Sequence, residues 1–301
     1  MIRIAVTGAS GFVGTALVEA LTRRGYSVRA GTRAPMPCRP NVEYFPYGDL
    51  ANEIDWTTFV TGAQRVIHLA GIAHTEGVAR RLYDQINTRQ TAALAASAKA
   101  AGVERLIFIS SVRAQVGPFA TEVIREHRPA MPTDDYGRSK LAAERAIADS
   151  KVPFVILRPV LIYGPGVKGN LAALSRVARS RVPLPFGSLT SRRSLCSLEK
   201  LIDAIDLSLT HERALGGTYL VADSAPVTLG EIVQALASGR RGPVQLRVAP
   251  WILKLGLTLV GRRDMWDRLG GQLIVDSSRL AALGWKPAET VAGLEHIRDS
   301  L

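Results

Sequence analysis

The chain has 301 residues, of which 47% are hydrophobic, and its formal net charge is +12. This length can hold one large domain or two modest ones with a sizeable core. The two cysteines, Cys38 and Cys196, are too few for a disulfide framework and too isolated for a metal site, and no run of about 20 apolar residues exists for a membrane span.

The basic residues are scattered in short clusters, without a basic helix interleaved with aromatic residues. We therefore expect no nucleic-acid partner and no membrane partner. A solvated surface and a positive cleft for an anionic small substrate both explain the charge. The chain enters its first strand at once, so we expect no signal peptide and a cytoplasmic protein with reduced thiols.

The first elements along the chain are a strand, a glycine-rich loop, a helix and a second strand, predicted at 2–6, 7–14, 15–24 and 26–30. This order makes a dinucleotide fingerprint credible. Gly8 permits a tight turn, Gly11 lets backbone amides approach a pyrophosphate, and Gly14 lets the helix pack closely on the sheet. The positive end of the helix attracts phosphate charge. A glycine-rich turn that binds no nucleotide is the alternative.

The end of the second strand, Gly31-Thr32-Arg33, indicates the type of dinucleotide. An acid here would hydrogen-bond the ribose 2′-hydroxyl of NAD, and the segment has none. Arg33 is suited to pair with a 2′-phosphate instead, although an ordinary surface arginine is the alternative. The sequence therefore favours NADP over NAD.

Strands and helices continue to alternate through the first half of the chain. We predict strands at 42–47, 65–70, 103–110 and 153–158, and helices at 78–101 and 135–150. Alternation of this kind is typical of a doubly wound α/β fold, in which a parallel sheet of the Rossmann type has helices on both faces.

The pattern loosens from residue 162, where a loop precedes predicted helices near 171–181, 198–210 and 228–237 and a short strand at 217–222. We therefore expect a Rossmann dinucleotide-binding domain at 1–161, with returning segments at about 190–225. The remainder, 162–189 and 226–301, is expected to form a smaller mixed C-terminal lobe that binds the substrate.

Tyr136 and Lys140 lie four residues apart on the helix predicted at 135–150, so they share one face. A phenol with a pKa near 10 is a poor base at neutral pH, and lowering that pKa by about 3 requires roughly 4 kcal/mol of preference for the phenolate. The Lys140 ammonium and a positively charged cofactor are suited to supply it. The spacing by itself also fits a surface pair, and a nucleotide site in the same chain gives it weight.

Five motifs occur in order along the chain: the loop 7–14, Asp49-Leu50, the run 68–71, Ser110-Ser111 and Tyr136-x-x-x-Lys140. Together they resemble the extended short-chain dehydrogenase/reductase family, over nearly the whole chain. The C-terminal half resembles the nucleotide-sugar branch of that family, the epimerases and 4-reductases. The resemblance implies an NAD(P)-dependent enzyme that transfers hydride on a nucleotide sugar, by 4-keto reduction or by 4-epimerisation.

The resemblance also implies roles for the matching residues. Tyr136 would be the acid/base, Lys140 would hold the nicotinamide ribose, and Ser111 would bind the substrate oxygen. The other implied cofactor contacts are Gly8, Gly11, Phe12, Val13 and Gly14 at the pyrophosphate, Asp49 and Leu50 at the adenine, and Ala70 and Gly71 at the riboses. The other implied substrate contacts are Asn170, Arg193 and Arg268 at the diphosphate and Phe186 at the base.

Two departures from the family pattern leave alternatives. Ser110 and Ser111 compete for the catalytic position, and we choose Ser111 because strand alternation turns Ser110 to the other face. The missing acid after the second strand weakens an epimerase, which retains NAD, relative to a reductase that exchanges NADPH. A dehydrogenase or reductase for a non-nucleotide carbonyl substrate and a non-catalytic NAD(P)-binding regulatory or structural protein stay open.

Three further polar residues have structural interpretations. His68 is expected to be a buried strand residue in the cofactor wall, and Arg158 is expected to form an internal ion pair. For Asn87, a hydrogen bond to a neighbouring strand and a direct role are equally favoured.

The resemblance also implies a homodimer formed through the helices near 78–101 and 136–150.

Overall fold

The computed structural model describes residues 2–37, 39–73, 75, 77–167, 169–180, 182–237, 242–259, 261, 266 and 270–298. The chain forms two compact units. The first comprises Met1–Val116, Pro129–Pro159 and Ile202–Tyr219. The second comprises Gly117–Arg128, Val160–Leu201 and Leu220–Leu301.

A parallel sheet is the centre of the first unit. The described strands of the whole chain are β1 (Arg3–Thr7), β2 (Ser27–Thr32), β3 (Val42–Pro46), β4 (Arg65–His68), β5 (Arg105–Ile109), β6 (Phe154–Pro159), β7 (Leu161–Tyr163), β8 (Arg192–Arg193), β9 (Leu195–Ser197), β10 (Thr218–Val221) and β11 (Val227–Thr228). One 7-stranded sheet has the order β3-β2-β1-β4-β5-β6-β10, and its neighbours from β3 to β6 pair in parallel. This strand order is that of a Rossmann fold, so the predicted fold class is confirmed.

The helices alternate with the strands. The described α-helices are α1 (Phe12–Arg23), α2 (Trp56–Val60), α3 (Arg80–Tyr83), α4 (Gln90–Ala100), α5 (Asp135–Ser150), α6 (Asn170–Ala178), α7 (Leu198–Thr210), α8 (Leu229–Leu236), α9 (Pro250–Leu259), α10 (Ser278–Ala281) and α11 (Thr290–Ile297). A π-helical segment, Asp84–Arg89, joins α3 to α4, and a 3₁₀ turn follows β5 at Val112–Ala114. Within the described residues, no helix is long and apolar enough to cross a membrane.

The sheet of the first unit is buried on both faces. Ile4 in β1 and Leu106 in β5 have no accessible surface, as expected where helices cover a parallel sheet on either side. Leu94 of α4 and Ile147 of α5 belong to the same core cluster as Leu106. Apolar burial therefore holds α5, the helix that carries Tyr136 and Lys140, against the sheet.

The second unit is a mixed α/β assembly. Its small sheets pair β8 with β11 in antiparallel orientation and β7 with β9 in parallel orientation. Leu171 of α6, Val233 of α8 and Leu294 of α11 share one buried cluster with Tyr163. The smaller elements of this unit are therefore held together by a core of their own.

The predicted elements agree best where the hydrophobic periodicity is strong. The helices predicted at 135–150 and 198–210 have the observed bounds Asp135–Ser150 and Leu198–Thr210. The helix predicted at 78–101 is interrupted by the π-helical segment. The sequence did not predict this interruption, because a shift of backbone hydrogen bonds leaves the side-chain pattern almost unchanged. The five-residue α2 and the short strands β7, β8, β9 and β11 were not predicted, since elements of this length show too little periodicity.

The two compact units differ in detail from the predicted domain bounds. Gly117–Arg128 belongs to the second unit, whereas the prediction placed it within 1–161. Of the predicted returning segments near 190–225, the first unit includes Ile202–Tyr219. Hydrogen bonds explain the first difference, because Ala120 and Ile124 donate to the carbonyls of Gln272 and Ile274 in the same unit. The functional division into a cofactor domain and a substrate lobe stays a prediction.

A buried polar network lies beneath α5 in the first unit. Arg158 donates from Nε to Glu144 Oε1 at 2.9 Å and from Nη1 to Gln115 Oε1 at 3.0 Å. The Ser110 hydroxyl also donates to Glu144. All four side chains are buried. The charges of Arg158 and Glu144 therefore compensate each other inside the protein. The internal ion pair predicted for Arg158 is confirmed.

Replacing Glu144 by Gln removes the counter-charge of a buried guanidinium. We expect Glu144→Gln to lower the free energy of unfolding by about 3–5 kcal/mol, the usual cost of removing one partner of a buried pair. Arg138→Ala is the control, because Arg138 pairs with Asp135 on the surface, where a pair contributes about 1 kcal/mol or less. Urea unfolding measures both variants, and small, equal losses would contradict the assigned role of Glu144.

Candidate active site

The loop after β1 requires glycine at the predicted places. Gly8 has a φ of +68°, in the left-handed region, and a Cβ there would lie 2.9 Å from the Ala70 nitrogen. A Cβ on Gly14 would overlap the Gly8 carbonyl oxygen. A residue larger than glycine at position 8 or 14 would therefore push the loop away from the segment after β4 or from α1.

The N-terminus of α1 presents backbone amides without a side-chain cap. The helix begins at Phe12, and its N-cap residue is Gly11, which has no side chain to accept hydrogen bonds from the first amides. The first amides of a helix have no acceptor within the helix. The amides of Phe12 and Val13, at the positive end of α1, suit an anionic group. This observation, with the close approach at Gly8 and Gly14, fits the pyrophosphate of a dinucleotide.

The end of β2 has a positive residue and no acid. β2 ends at Thr32, and Arg33, the next residue, is exposed. Burial raises the pKa of Tyr47, while a hydrogen bond from the Gly8 amide and the charge of Arg33 oppose that rise. Arg33 therefore lies near enough to act on the phenol that contacts the glycine loop.

Asp49 and Leu50 follow β3 and differ in exposure. Asp49 is exposed, and its Oδ1 accepts a hydrogen bond from the Ala51 amide at 2.9 Å. Leu50 packs against the core cluster of the first unit, and its carbonyl accepts from Gln90 Nε2 at 3.0 Å. These bonds fix the backbone of the loop, and the adenine contacts of the two residues stay predictions.

His68 is buried in a chain of hydrogen bonds. The Thr91 hydroxyl donates to the Asn87 carbonyl at 2.6 Å, so its oxygen accepts from His68 Nε2 at 2.8 Å. The other ring nitrogen, Nδ1, then accepts from the Thr7 hydroxyl at 2.7 Å. Burial and the charge of Lys140 lower the pKa of His68 to about 3. A neutral, enclosed ring of this kind positions the backbone, and the prediction of a buried strand residue is confirmed.

The same chain of bonds sets the backbone of Ala70 and Gly71. Thr7 Oγ1 accepts from the Ala70 amide at 3.1 Å. Asn87, in the π-helical segment, accepts from the Ile72 amide at 2.8 Å and donates to the Ile72 carbonyl at 3.1 Å. A Cβ on Gly71 would lie 2.8 Å from Asn87 Oδ1. Asn87 therefore has a structural role, which was one of the two interpretations of this residue. It hydrogen-bonds the loop after β4.

Lys140 is buried on α5 against the end of β5. Its Nζ donates to the Ile109 carbonyl at 3.0 Å and lies 4.7 Å from the centre of the Phe108 ring. Burial lowers the pKa of Lys140 to about 8, and the charge of Glu144 opposes that decrease. The ammonium is therefore predominantly charged at neutral pH, and it lies next to Gly71, where a Cβ would be 3.8 Å from Nζ.

Tyr136 lies one turn before Lys140 and contacts Ser111. Burial raises the pKa of the phenol to about 12; a hydrogen bond with the Ser111 hydroxyl lowers it, and the charge of Asp134 raises it. The Tyr83 ring packs at 5.9 Å between centroids. In the protein alone the pKa of the phenol is therefore raised, and the largest cause is burial of the phenol itself, which disfavours the phenolate. The lowering expected from Lys140 together with a positively charged cofactor stays a prediction.

The N-terminus of α5 is fixed by residues that the sequence analysis did not identify. Asp134 is the N-cap and accepts from the Gly137 amide at 2.7 Å. Its other carboxylate oxygen pairs with Arg113, which follows Ser111 by two residues. An Asp immediately before a predicted helix is an N-cap signal, so this residue was recognisable from the sequence. The pair joins the Ser111 segment to the helix of Tyr136.

The two serines after β5 have different surroundings. Ser110 is buried and donates to Glu144 in the network beneath α5. Ser111 is half-buried, accepts from the Arg113 amide at 3.2 Å and hydrogen-bonds the Tyr136 phenol. The geometry therefore supports Ser111 as the serine that shares a site with Tyr136, and its catalytic role stays a prediction.

Apart from Ser111, the described residues predicted to bind the substrate belong to the second unit. Asn170 is the first residue of α6, Phe186 is half-buried against the core cluster of that unit, and Arg193 lies in β8. Arg268 lies outside the described residues. The contacts of these four residues with a substrate stay predictions.

The Rossmann sheet and, in the same compact unit, the glycine loop with Tyr136 and Lys140 define a protein of the extended short-chain dehydrogenase/reductase type. Comparison with family models gives the particular family. Residues 4–222 match the NAD dependent epimerase/dehydratase family, and the chain belongs to it. The family predicted from the motifs is confirmed.

Known proteins resemble the chain over most of its length. It is 40% identical to a UDP-glucose 4-epimerase of Vibrio cholerae over 306 residues, 96% of this chain and 92% of that protein. It is 34% identical to a ceramide reductase of Caulobacter vibrioides over 203 residues, 65% of this chain and 57% of that protein. The structure of MoeE5 in complex with UDP-glucuronic acid and NAD has a TM-score of 0.79 and 25% identity, covering 99% of this chain and 100% of that one.

The low pKa of Lys140 predicts a pH-dependent stability. The unfolded chain binds the lysine proton up to its ordinary pKa of 10.5, whereas the folded chain loses it near pH 8. Stability therefore rises with pH across this window, by about 3 kcal/mol from this group. In Lys140→Met the rise is absent. Urea unfolding between pH 7 and pH 10 measures the difference, and parallel pH curves for the two proteins would contradict the burial of the charge.

Proposed function

We propose that this protein is an NAD(P)-dependent oxidoreductase that acts on a nucleotide sugar by hydride transfer, with Ser111, Tyr136 and Lys140 as its catalytic residues. The observation that carries the proposal is the hydrogen bond between Ser111 and Tyr136, with Lys140 buried one turn away. The membership of the chain in the NAD dependent epimerase/dehydratase family supports the same chemistry.

The residues of the first unit are suited to hold the cofactor. Gly8, Gly11 and Gly14 leave room for a pyrophosphate, and the amides of Phe12 and Val13 offer it hydrogen bonds. A bound nicotinamide dinucleotide supplies the donor or acceptor of the hydride. The Lys140 ammonium, enclosed next to Gly71, is suited to hold a ribose hydroxyl through its remaining donors.

The raised pKa of Tyr136 suits the phenol to donate a proton rather than to accept one. With a pKa of about 12 the phenol keeps its proton at neutral pH. Tyr136 can therefore donate that proton to a carbonyl oxygen at the moment when the carbon is reduced, so that negative charge on the oxygen does not accumulate. Ser111 holds the same oxygen and the phenol in one hydrogen-bonded group.

The substrate is assigned from the relatives and from charge. A UDP-glucose 4-epimerase and a UDP-sugar complex are among the similar proteins. The net charge of +12 favours an anionic substrate such as a nucleotide diphosphate. Asn170, Arg193 and Arg268 are the proposed diphosphate contacts, and Phe186 is proposed to pack against the base.

The end of β2 favours a 4-keto reductase that uses NADPH over an epimerase that retains NAD. Arg33 offers two parallel donors to a 2′-phosphate, and no acid follows β2 to take a 2′-hydroxyl. The NAD found with MoeE5 and the name of the Vibrio cholerae relative support the epimerase alternative. The ceramide reductase relative supports a second candidate, a reductase of a non-nucleotide carbonyl.

One assay separates these activities. The purified protein is incubated with UDP-4-keto-hexoses and NADPH, with UDP-glucose and NAD, and with a long-chain ketone and NADPH. Consumption of NADPH with the 4-keto sugars supports the reductase, and epimer formation without net cofactor consumption supports the epimerase. In either case Tyr136→Phe is expected to lower turnover by about 100-fold or more, because the general acid is lost. No turnover of any nucleotide sugar would overturn the proposal.

The two neighbouring serines provide a matched pair of variants. Ser111→Ala removes the partner of the Tyr136 phenol, and we expect kcat to fall about 100-fold with little loss of stability. Ser110→Ala removes a hydrogen bond to buried Glu144, so it is expected to lower the free energy of unfolding by about 1–3 kcal/mol while kcat changes little. The reverse result would assign the catalytic role to Ser110.

The cofactor preference is tested at Arg33. Arg33→Asp replaces a phosphate partner by an acid, so we expect the affinity for NADPH to fall at least about tenfold and that for NADH to rise. Arg23→Asp, an exposed change at the far end of α1, is the control. Fluorescence titration with both dinucleotides measures the ratio. An unchanged ratio in Arg33→Asp would make Arg33 an ordinary surface residue.

A further inference from the structure

Helix α9 of the second unit exposes large apolar side chains. Within Pro250–Leu259 no residue is buried. Trp251 is 67% exposed and Leu259 is 78% exposed, and Ile252 and Leu255 are exposed as well. A helix in a globular protein ordinarily turns such residues towards a core, and exposed apolar patches on a folded chain indicate a site of contact.

The exposed apolar residues share one face of α9. Trp251, Leu255 and Leu259 follow each other at intervals of four, and Ile252 lies next to them on the helix surface. The opposite face carries Leu253 and Leu257, which are half-buried. The smaller apolar face of α9 is therefore partly covered, and the larger one is exposed.

Basic residues surround this apolar face in the sequence. Residues 240–268 hold seven Lys or Arg residues against two Asp residues. Arg247, just before α9, and Lys254, within it, are exposed, and the remaining five lie outside the described residues. A lysine at the border of an apolar face can lay its stem along that face while its charge stays in water.

The charge decides between two occupants of this face. A second copy of the chain would bring the same excess of positive charge to the interface, and like charges repel. A surface of anionic lipid headgroups attracts it and also offers an apolar boundary for tryptophan and leucine. A ten-residue helix is roughly 15 Å long, about half of what a membrane span requires, so α9 can lie on a bilayer without crossing it.

We propose that α9 is an interfacial helix that docks the protein on an anionic lipid bilayer, with Trp251, Ile252, Leu255 and Leu259 entering the headgroup boundary. The exposed Arg247 and Lys254 contact the lipid phosphates. This proposal differs from the expectation of no membrane partner, which rested on the absence of a spanning segment. The surface is independent of the nucleotide-sugar chemistry, so either assignment can fail without the other.

The test is sedimentation of the full chain with lipid vesicles. We expect binding to phosphatidylcholine vesicles that contain phosphatidylglycerol, at least about fivefold weaker binding to phosphatidylcholine alone, and loss of binding at high salt. Leu255→Gln and Trp251→Ala are each expected to weaken binding about fivefold while activity in solution is unchanged. Met131→Gln is the control, because Met131 is an equally exposed apolar residue of the first unit.

Three results would overturn the proposal. The first is no sedimentation with anionic vesicles, and the second is equal binding by wild type and both α9 variants. The third is a decrease in solution mass, measured by light scattering, when Leu255 is replaced, because the face would then be an interface between copies of this chain. Circular dichroism and urea unfolding unchanged from wild type show that the variants are folded, so a loss of vesicle binding reports on α9 itself.

Discussion

The burial of one lysine ammonium is the constraint on which the site depends. Lys140 can stay charged inside the first unit because its ammonium donates a hydrogen bond to the Ile109 carbonyl and the face of Phe108 lies beside it. Its lowered pKa shows that burial still opposes the charge. Apolar packing of α5 against the sheet offsets that cost. Once the ammonium is held there, the position of Tyr136, one turn earlier on the same helix, follows from helical geometry.

Polar contacts at two other places hold the same helix. Asp134 caps its N-terminus and pairs with Arg113, beside the serine that contacts Tyr136. Further along, Glu144 is bonded to Arg158 beneath the helix. The cap and the buried ion pair therefore fix the backbone of the helix that carries Tyr136 and Lys140. Removing one partner of the buried pair would leave an uncompensated charge inside the protein.

Sequence reasoning succeeded where the cause is local. The bounds of α5 and the need for glycine at Gly8 follow from periodicity and backbone conformation. It did not give the sign of the Tyr136 pKa shift in the protein alone, and the lowering expected with a bound cofactor stays a prediction. That sign depends on burial and on Asp134 and Tyr83, and burial cannot be read from the four-residue spacing. The π-helical segment and its Asn87 contacts were likewise unpredictable, since they depend on the loop after β4.

The sequence by itself determined the family, the glycine loop, the Tyr/Lys pair and the absence of an acid after β2, because each is carried by neighbouring residues under local steric rules. Only the tertiary structure decided which serine meets the phenol, how the lysine charge is compensated and which face of α9 is exposed. These depend on contacts between residues far apart in the chain. Burial sets both the pKa of a side chain and its availability to a partner, and it exists only once the chain has folded.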